Sequence, residues 1–432
     1  MPIDITKIKK VHFIGIGGIG ISAIARMMLE EGKIVSGSDS TASPITEELA
    51  KLGATFYEGQ SAFNITGDVD LVVYTVAVPD NNFELVAARD KNISTLSYPE
   101  MLGLVSAGKF TIAIAGTHGK TTTTAMTAEV FIDAKKDPTV VVGSLLKQSH
   151  SNFISGKSEY FIVEACEYKR SFLHLSPKIL AITNIDDDHL DYYGNLEGVQ
   201  KAFREMCERV PADGAVVTDV SHPNIAPILK GLVCKVIDYK LEDVSSLKLK
   251  VPGSHNKSNA QVALAIAREV GINTEDATKA LENFPGTWRR FEYKGTTATG
   301  VLVYDDYGHH PTEIKATLQG ARELFKDKNI TVIFQPHLYS RTKEHLDDFA
   351  TAFADADNVL FAPIYAAREP FDPSVSSELL AERTQGVKGV VKAFPDFDSI
   401  VNYLKENTKS GDVVMTMGAG DVYQIGEKFL LG

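Results

Sequence analysis

The sequence predicts an α/β protein built from three parallel-sheet domains, and three observations predict it. Its 432 residues exceed what one hydrophobic core supports, and at about 150 residues per domain they suggest roughly three. Short apolar strands alternate with helix-compatible stretches of about 10–15 residues, the pattern of parallel sheets with right-handed crossovers. Several of those strands run directly into glycine-rich or acidic turns, at the end where a parallel sheet presents a ligand site.

Composition narrows the class. Apolar residues make up 44% and charged residues 23%, with 33 Gly and 17 Pro, so disordered, collagenous and disulfide-scaffold chains are excluded. Forty-four basic against 56 acidic side chains leave a net charge of −12, which argues against nucleic acid as a partner; a phosphorylated ligand then needs a locally built site. Cys166, Cys207 and Cys234 are an odd set without metal-type spacing and read as small apolar residues, reduced in a cytosol. Lys9-Lys10 before the apolar stretch 11–25 imitates a signal peptide. The glycines within it mark a strand-to-helix turn instead, and no apolar run reaches the ~18 residues of a membrane span. A soluble, cytoplasmic protein without membrane insertion is expected.

Taken in order, residues 10–16 (KVHFIGI) read as a buried strand, 19–31 as a helix and 34–38 as a second strand closed by Asp39, a βαβ unit. A strand at 71–75, a helix at 84–90 and a connection at 97–108 complete the first domain, with a boundary at Gly108. Strand 110–115 (FTIAIA) then runs into Gly116-Thr117-His118-Gly119-Lys120-Thr121 and a helix. Strand 160–164 (YFIVE) ends on a carboxylate, and strand 179–185 (ILAITNI) leads into Asp186-Asp187-Asp188-His189. Helices at 196–209 and 259–270 carry the middle domain to Pro285-Gly286. The last domain starts at Trp288-Arg289-Arg290-Phe291. It alternates strand VLVYDDY, helix 313–325, strand ITVIFQP, helix 344–355, strand NVLFAPI and strand DVVMTMG. The expected domains are therefore 1–108, 109–286 and 287–432, without internal repeats.

The turns carry the chemistry. G-I-G-G-I-G at Gly15, Gly17, Gly18 and Gly20 sets bare amides and a helix N-terminus where a diphosphate can sit, with Asp39 at the ribose-accepting distance. On these residues alone a nicotinamide oxidoreductase and a plain tight turn both stay open. AGTHGKTT is sharper: Gly116, Thr117, His118 and Gly119 wrap phosphates, Lys120 neutralises charge, and Thr121, with Thr122 beside it, offers a hydroxyl to Mg²⁺. Ile114 stands where the leading glycine of the usual nucleotide loop belongs, so the loop is shortened. Glu164 is a hard oxygen ligand for Mg²⁺, and His189 ends a further strand; both lie beside the loop if the three strands are neighbours. The aspartates at 186–188 serve a site or cap a helix equally well. PGSHNKSNA, DDYGHHP and FQPH with Arg341 are further loops dense in hydrogen-bonding groups.

Together these segments resemble the Mur ligases of peptidoglycan synthesis. HFIGIGGIGISAIA, SGSD, AGTHGKTTTTAM, VEACEY, TNIDDDHLDYY, PGSHNKSNA, RRFE, DDYGHHPTEI, FQPHLYSRT and MGAGD occur in the family's order along the whole chain. The resemblance implies a Rossmann-like first domain for a UDP-sugar, a central P-loop domain for ATP, and a Rossmann-like third domain that closes on ATP and an amino acid. It implies that Gly15, Gly17, Gly18 and Gly20 face the diphosphate with Ser38, Asp39 and Thr75 nearby. Lys120, Thr121 and Glu164 would hold phosphate and Mg²⁺, and His189 a second Mg²⁺, with Mn²⁺ as the alternative ion. His255 and Asn259 would meet adenine, and Arg290 and Asp305 or Asp306 would close over ATP. His309 and His310 would close over the sugar nucleotide, and Arg341 would meet the amino acid or the muramyl carboxylate. Leu338 departs from the second arginine of many relatives, and VEACEYKR from their more acidic segment. Phe203, near the carbamylated lysine of later-acting members, favours the alanine-adding branch: UDP-N-acetylmuramate and L-alanine as substrates, an acyl phosphate between them, and a monomer or homodimer with a mobile third domain. The rivals are a ligase recycling tripeptide onto the same sugar nucleotide, the oxidoreductase, and a P-loop switch.

Overall fold

The computed structural model describes residues 3–147, 149, 151–367 and 369–432, the side chain of Asp191 excepted. Strands β1 (Lys10–Ile14), β2 (Ile34–Asp39), β3 (Thr55–Glu58), β4 (Leu71–Tyr74) and β5 (Ser94–Ser97) form a parallel sheet ordered β3-β2-β1-β4-β5. Helices α1 (Ile19–Glu30), α2 (Pro44–Lys51), α3 (Phe83–Asp90) and α4 (Tyr98–Ser106) accompany it. Central β1 is buried on both faces from Val11 to Ile14, with His12 the one polar side chain among them. Helix α4 corrects the sequence reading of 97–108 as a connection. Two turns are too short for periodicity to register, yet the start is encoded: Ser97 and Glu100 form a capping box, with Pro99 in the first turn.

The second sheet contains β6 (Phe110–Ala115), β7 (Thr139–Leu146), β8 (Ser151–Ile154), β9 (Tyr160–Glu164), β10 (Ile179–Ile182), β11 (Ala215–Thr218) and β12 (Lys235–Asp238), ordered β12-β11-β10-β6-β9-β7-β8. Its helices are α5 (Lys120–Asp133), α6 (Leu190–Tyr193), α7 (Leu196–Cys207), α8 (Ala226–Leu229), α9 (Ser254–Glu269) and α10 (Thr274–Asn283). Strand β6 lies between β10 and β9, so the adjacency assumed for the nucleotide loop, Glu164 and His189 is real. The antiparallel β7–β8 hairpin was not anticipated.

A third sheet holds β13 (Glu292–Thr296), β14 (Leu302–Asp306), β15 (Ile330–Phe334), β16 (Asn358–Phe361), β17 (Val391–Ala393) and β18 (Val413–Met417), ordered β13-β14-β18-β15-β16-β17. It is parallel except at the edge pair β13–β14. Helices α11 (Pro311–Leu324), α12 (Tyr339–Glu344), α13 (Leu346–Ala350), α14 (Ser377–Arg383), α15 (Phe397–Asn407) and α16 (Tyr423–Leu431) accompany it. The single helix expected at 344–355 is instead α12 and α13, interrupted at His345, whose backbone leaves helical geometry (φ −105, ψ 23). There its ring packs 4.8 Å from the ring of His310. Alternation along β15 sends Val332 and Phe334 into one apolar cluster and Ile333 into the other.

By contacts the chain divides into two compact units, Met1–Leu247 with Ser258–Phe284, and Lys248–Lys257 with Pro285–Gly432. The first unit holds two sheets because one apolar cluster runs beneath both, from Val11, Phe13 and Ile24 to Ala113, Phe161 and Leu180, with Met101 and Leu102 of α4 between them. A polar clasp reinforces this. Buried Arg26 of α1 donates through Nε to Asn152 Oδ1 on β8 (3.1 Å) and pairs with both oxygens of Glu48. The Asn152 amide in turn donates to Ser22 Oγ at 2.9 Å and to the Ile19 carbonyl. Replacing Asn152 with Ala strands buried donors and acceptors, so unfolding of the first unit should be easier by about 1–3 kcal/mol. A thermal or urea transition unchanged from wild type would contradict the clasp.

Candidate active site

The loop at residues 116–121 is the candidate nucleotide site of the first unit. Helix α5 opens on Gly119 (φ +81) with no side-chain cap, which leaves the amides of its first turn directed at the loop, as an anion site requires. The loop is pinned from β10: Asn184 accepts from the His118 amide through Oδ1 (2.8 Å) and donates back to the His118 carbonyl (3.0 Å), while Thr183 Oγ1 donates to the same carbonyl (2.5 Å). Thr117 Oγ1 accepts from the Asp186 amide at 2.9 Å. This explains the acidic turn at 186–188 in part, since it docks on the loop. Asn259 Oδ1 stands over Gly119, which puts this predicted residue at the loop.

Lys120 and the strand-end carboxylates make the charged centre. Its ammonium donates to the carbonyls of Gly116 (2.5 Å) and Thr117 (3.0 Å) and to Glu167 Oε1 (2.9 Å). Burial works against that charge, but the Glu167 carboxylate, with Glu164 behind it, holds the ammonium above its usual range. Lys120 is therefore a fixed cation. Thr121 Oγ1 donates to Glu164 Oε1 at 3.0 Å, and the other oxygen, Oε2, accepts from the Gly143 amide of β7 at 2.7 Å.

The donor set suits Mg²⁺. Thr121 and Glu164 bring two hard oxygens together, and Glu167, almost fully buried, has an Oε2 with no hydrogen-bond partner. A hydroxyl, carboxylates, phosphate oxygens and water are the ligands this ion takes. Among the described residues no three His, Cys, Asp or Glu side chains already converge as a metal cage, so substrate oxygens must complete the coordination. His189 does not join Thr121 and Glu164. It lies 4.0 Å from Glu167 and 3.7 Å from Asp188, in a left-handed conformation (φ +57) and tilted against the Tyr168 ring. Lys169 and Arg170 also have positive φ, a sparsely populated geometry concentrated here beside the charged centre.

The first glycine loop is shaped by its own neighbours. The Gly17 amide donates to Asp39 Oδ2 (2.9 Å) and the Ser40 amide to Asp39 Oδ1 (2.7 Å), so Asp39 braces the turn. Helix α1 begins at Gly18 without a side-chain cap, again leaving amides for an anion. Thr75 packs its methyl against Gly15. Ser38 faces inward: it is fully buried and donates to Glu84 Oε2 at 2.5 Å, in a network with Asn64 and His12.

In the second unit the DDYGHHP and FQPH loops do meet. Ring centroids of His309 and His337 are 6.0 Å apart, and Arg341 lies 3.3 Å from His337 Nδ1. Glu313, not anticipated as a site residue, organises the first loop by accepting from the amides of His309 and His310. The Arg290 guanidinium lies over Tyr307 and 4.0 Å from Glu313. His255, at the start of α9, senses Glu313 and Arg290, and burial pushes it down to about 4; it is neutral at pH 7. Asp305 and Asp306 are both buried. Asp305 accepts from Arg289 Nε (2.7 Å) and Thr416 (2.6 Å). Asp306 accepts from the amides of Phe291 and Gly308, and burial raises it to about 6 against the pull of Arg290. These carboxylates hold the loop together, with Arg289 tied on to the Gly418 and Gly420 carbonyls.

Comparison with known proteins agrees with this geometry. Profiles for the Mur ligase family catalytic domain, the Mur ligase middle domain and the Mur ligase glutamate ligase domain match residues 10–110, 114–247 and 289–420. The chain belongs to the Mur ligase family. It is 43% identical, over its full length, to the UDP-N-acetylmuramate–L-alanine ligases of Caldanaerobacter subterraneus and Clostridium tetani, covering 99% and 100% of those chains. The solved UDP-N-acetylmuramate-alanine ligase of Thermotoga maritima superposes with a TM-score of 0.83 at 31% identity, 98% of each chain being covered. A murein peptide ligase of Psychrobacter arcticus gives 0.73 at 25% identity, again over 98% of each chain. The family's three-domain α/β architecture is thus the architecture here, and no helix among the described residues is long and apolar enough to cross a membrane.

Gly143 was invisible in the sequence, because its role is one of clearance. A Cβ there would stand 2.6 Å from both Glu164 oxygens, displacing the carboxylate from Thr121. Gly143→Ala should therefore raise the Mg²⁺ concentration for half-maximal nucleotide-dependent activity about tenfold or more, the usual effect of disturbing a ligand's support. An unchanged Mg²⁺ requirement would refute the assignment of Glu164.

Proposed function

We propose that this chain is an ATP-dependent carboxylate–amine ligase that joins L-alanine to the lactyl carboxylate of UDP-N-acetylmuramate, releasing ADP and phosphate. The observation that carries the reading is the convergence of Lys120, Thr121, Glu164 and Glu167 at the ends of adjacent strands β6 and β9, in a chain matching alanine-adding Mur ligases end to end.

A free carboxylate is a poor acylating agent, so the lactyl oxygen first attacks the γ-phosphorus and ADP leaves. The amine of alanine then attacks the acyl carbon of the acyl phosphate, and phosphate leaves from the tetrahedral intermediate. The obstacle to the first step is repulsion between two anions. Lys120, held positive at the loop, and the uncapped first turn of α5 counter it with charge and amide dipoles that need no rearrangement at the moment of reaction. Thr121 and Glu164, with Glu167 and His189 close by, would hold Mg²⁺, which supplies further neutralisation of the phosphoryl oxygens. The uncapped α1 loop suits the UDP diphosphate. In the second unit Arg290 and Arg341 offer planar guanidinium groups for phosphate or carboxylate oxygens.

The direct test is ADP release from ATP and Mg²⁺ with UDP-N-acetylmuramate, comparing L-alanine, glycine, L-serine and tripeptide. Release dependent on L-alanine is expected; a preference for tripeptide would move the chain to the peptide-recycling branch, and no dependence on any acceptor would sink the ligase reading. Lys120→Ala should abolish turnover while sugar-nucleotide affinity stays within about twofold, since Lys120 stabilises phosphoryl transfer. Comparable turnover in that variant would overturn the role of the loop.

A further inference from the structure

The segment missed in the sequence, α4, lies between the two phosphate loops of the first unit. On one flank it packs on the 3₁₀ turn Tyr168–His174 that follows Glu167, so closely that a Cβ on Gly103 would come within 2.4 Å of the His174 carbonyl oxygen. At its N-terminus the ring of Tyr98 lies on Gly20, in the first turn of α1: the phenol Cζ and Oη are 2.8 and 2.9 Å from where a Gly20 Cβ would stand. Any side chain at position 20 would have to push this ring aside. Helix α4 therefore touches the diphosphate loop through Tyr98 and the turn that follows Glu167 through Gly103.

A sugar nucleotide undergoing the proposed reaction spans that same interval. Its diphosphate belongs at the amides of α1, and its lactyl carboxylate must reach the γ-phosphate beside Thr121 and Lys120. We infer that the Tyr98 hydroxyl donates a hydrogen bond to the muramyl portion of the sugar nucleotide, between the diphosphate and the reacting carboxylate. The inference rests on the ligase reading. A phenol is a donor at neutral pH; burial, with the negative charge of Glu164, raises its titration further. Among the described residues the hydroxyl has no hydrogen-bond partner, although the ring is well packed.

Tyr98→Phe keeps the ring on Gly20 and removes only the donor. Calorimetric titration of the full chain with UDP, with UDP-N-acetylmuramate and with a non-hydrolysable ATP analogue separates the contributions. The expected result is UDP and ATP-analogue affinities within twofold of wild type, with the gain in affinity from UDP to UDP-N-acetylmuramate reduced about tenfold or more, the loss of one hydrogen bond to a polar or charged group. An undiminished gain would overturn the inference. So would equal losses for UDP and UDP-N-acetylmuramate, which would mean that the hydroxyl only shapes the glycine loop. Wild-type protein that bound UDP-N-acetylmuramate no better than UDP would instead remove the ligase reading itself. Tyr98→Leu, which abandons the ring as well, should weaken UDP too, because the support of Gly20 is lost.

Discussion

Two negative groups, a carboxylate and a triphosphate, have to be brought into bonding distance, and the buried ammonium of Lys120 is the constraint around which the first unit is arranged. It is charged because Glu167 and two loop carbonyls surround it. It is fixed because Thr183 and Asn184 hold the loop from the neighbouring strand. A mobile surface lysine would lose most of its effect to solvent screening; one immobilised beside a helix N-terminus keeps it. The net charge of −12 is no obstacle, since the relevant field is local.

The same logic explains why two sheets form one unit. If the diphosphate and the γ-phosphate sit on different sheets, the distance between them is set by the packing of those sheets. Three devices fix it: the apolar cluster shared beneath both, the Arg26–Asn152 clasp to the β7–β8 hairpin, and α4, with Gly103 and Tyr98 as its tight contacts. The hairpin has a second task, because Gly143 on β7 steadies Glu164 through its amide. Stability and site geometry depend here on the same short segments.

Much of this was legible in the sequence. The spacing around Lys120 located the strand, loop and helix that the structure shows as β6 and α5, since such turns depend on backbone conformation that glycines and helix starts encode locally. The edges of the pattern were less legible. Helix α4 and the break at His345 are short features decided by packing, which leaves little periodicity to read. Asp305 and Asp306 were named from their match to a family segment that closes over ATP, and burial was not visible there. The side chains point inward because Arg289 and the Phe291 and Gly308 amides compete for them. Gly143 and Tyr98 carried no motif at all; clearance at one and position at the other exist only in three dimensions.

The central claim is that the lactyl carboxylate is activated by phosphoryl transfer at the Lys120 loop. It is tested most directly by incubating the protein with ATP, Mg²⁺, L-alanine and UDP-N-acetylmuramate carrying ¹⁸O in that carboxylate, then analysing the phosphate by mass spectrometry. Attack by the carboxylate on the γ-phosphorus predicts one labelled oxygen in each phosphate released, and unlabelled phosphate accompanied by amide product would contradict the account.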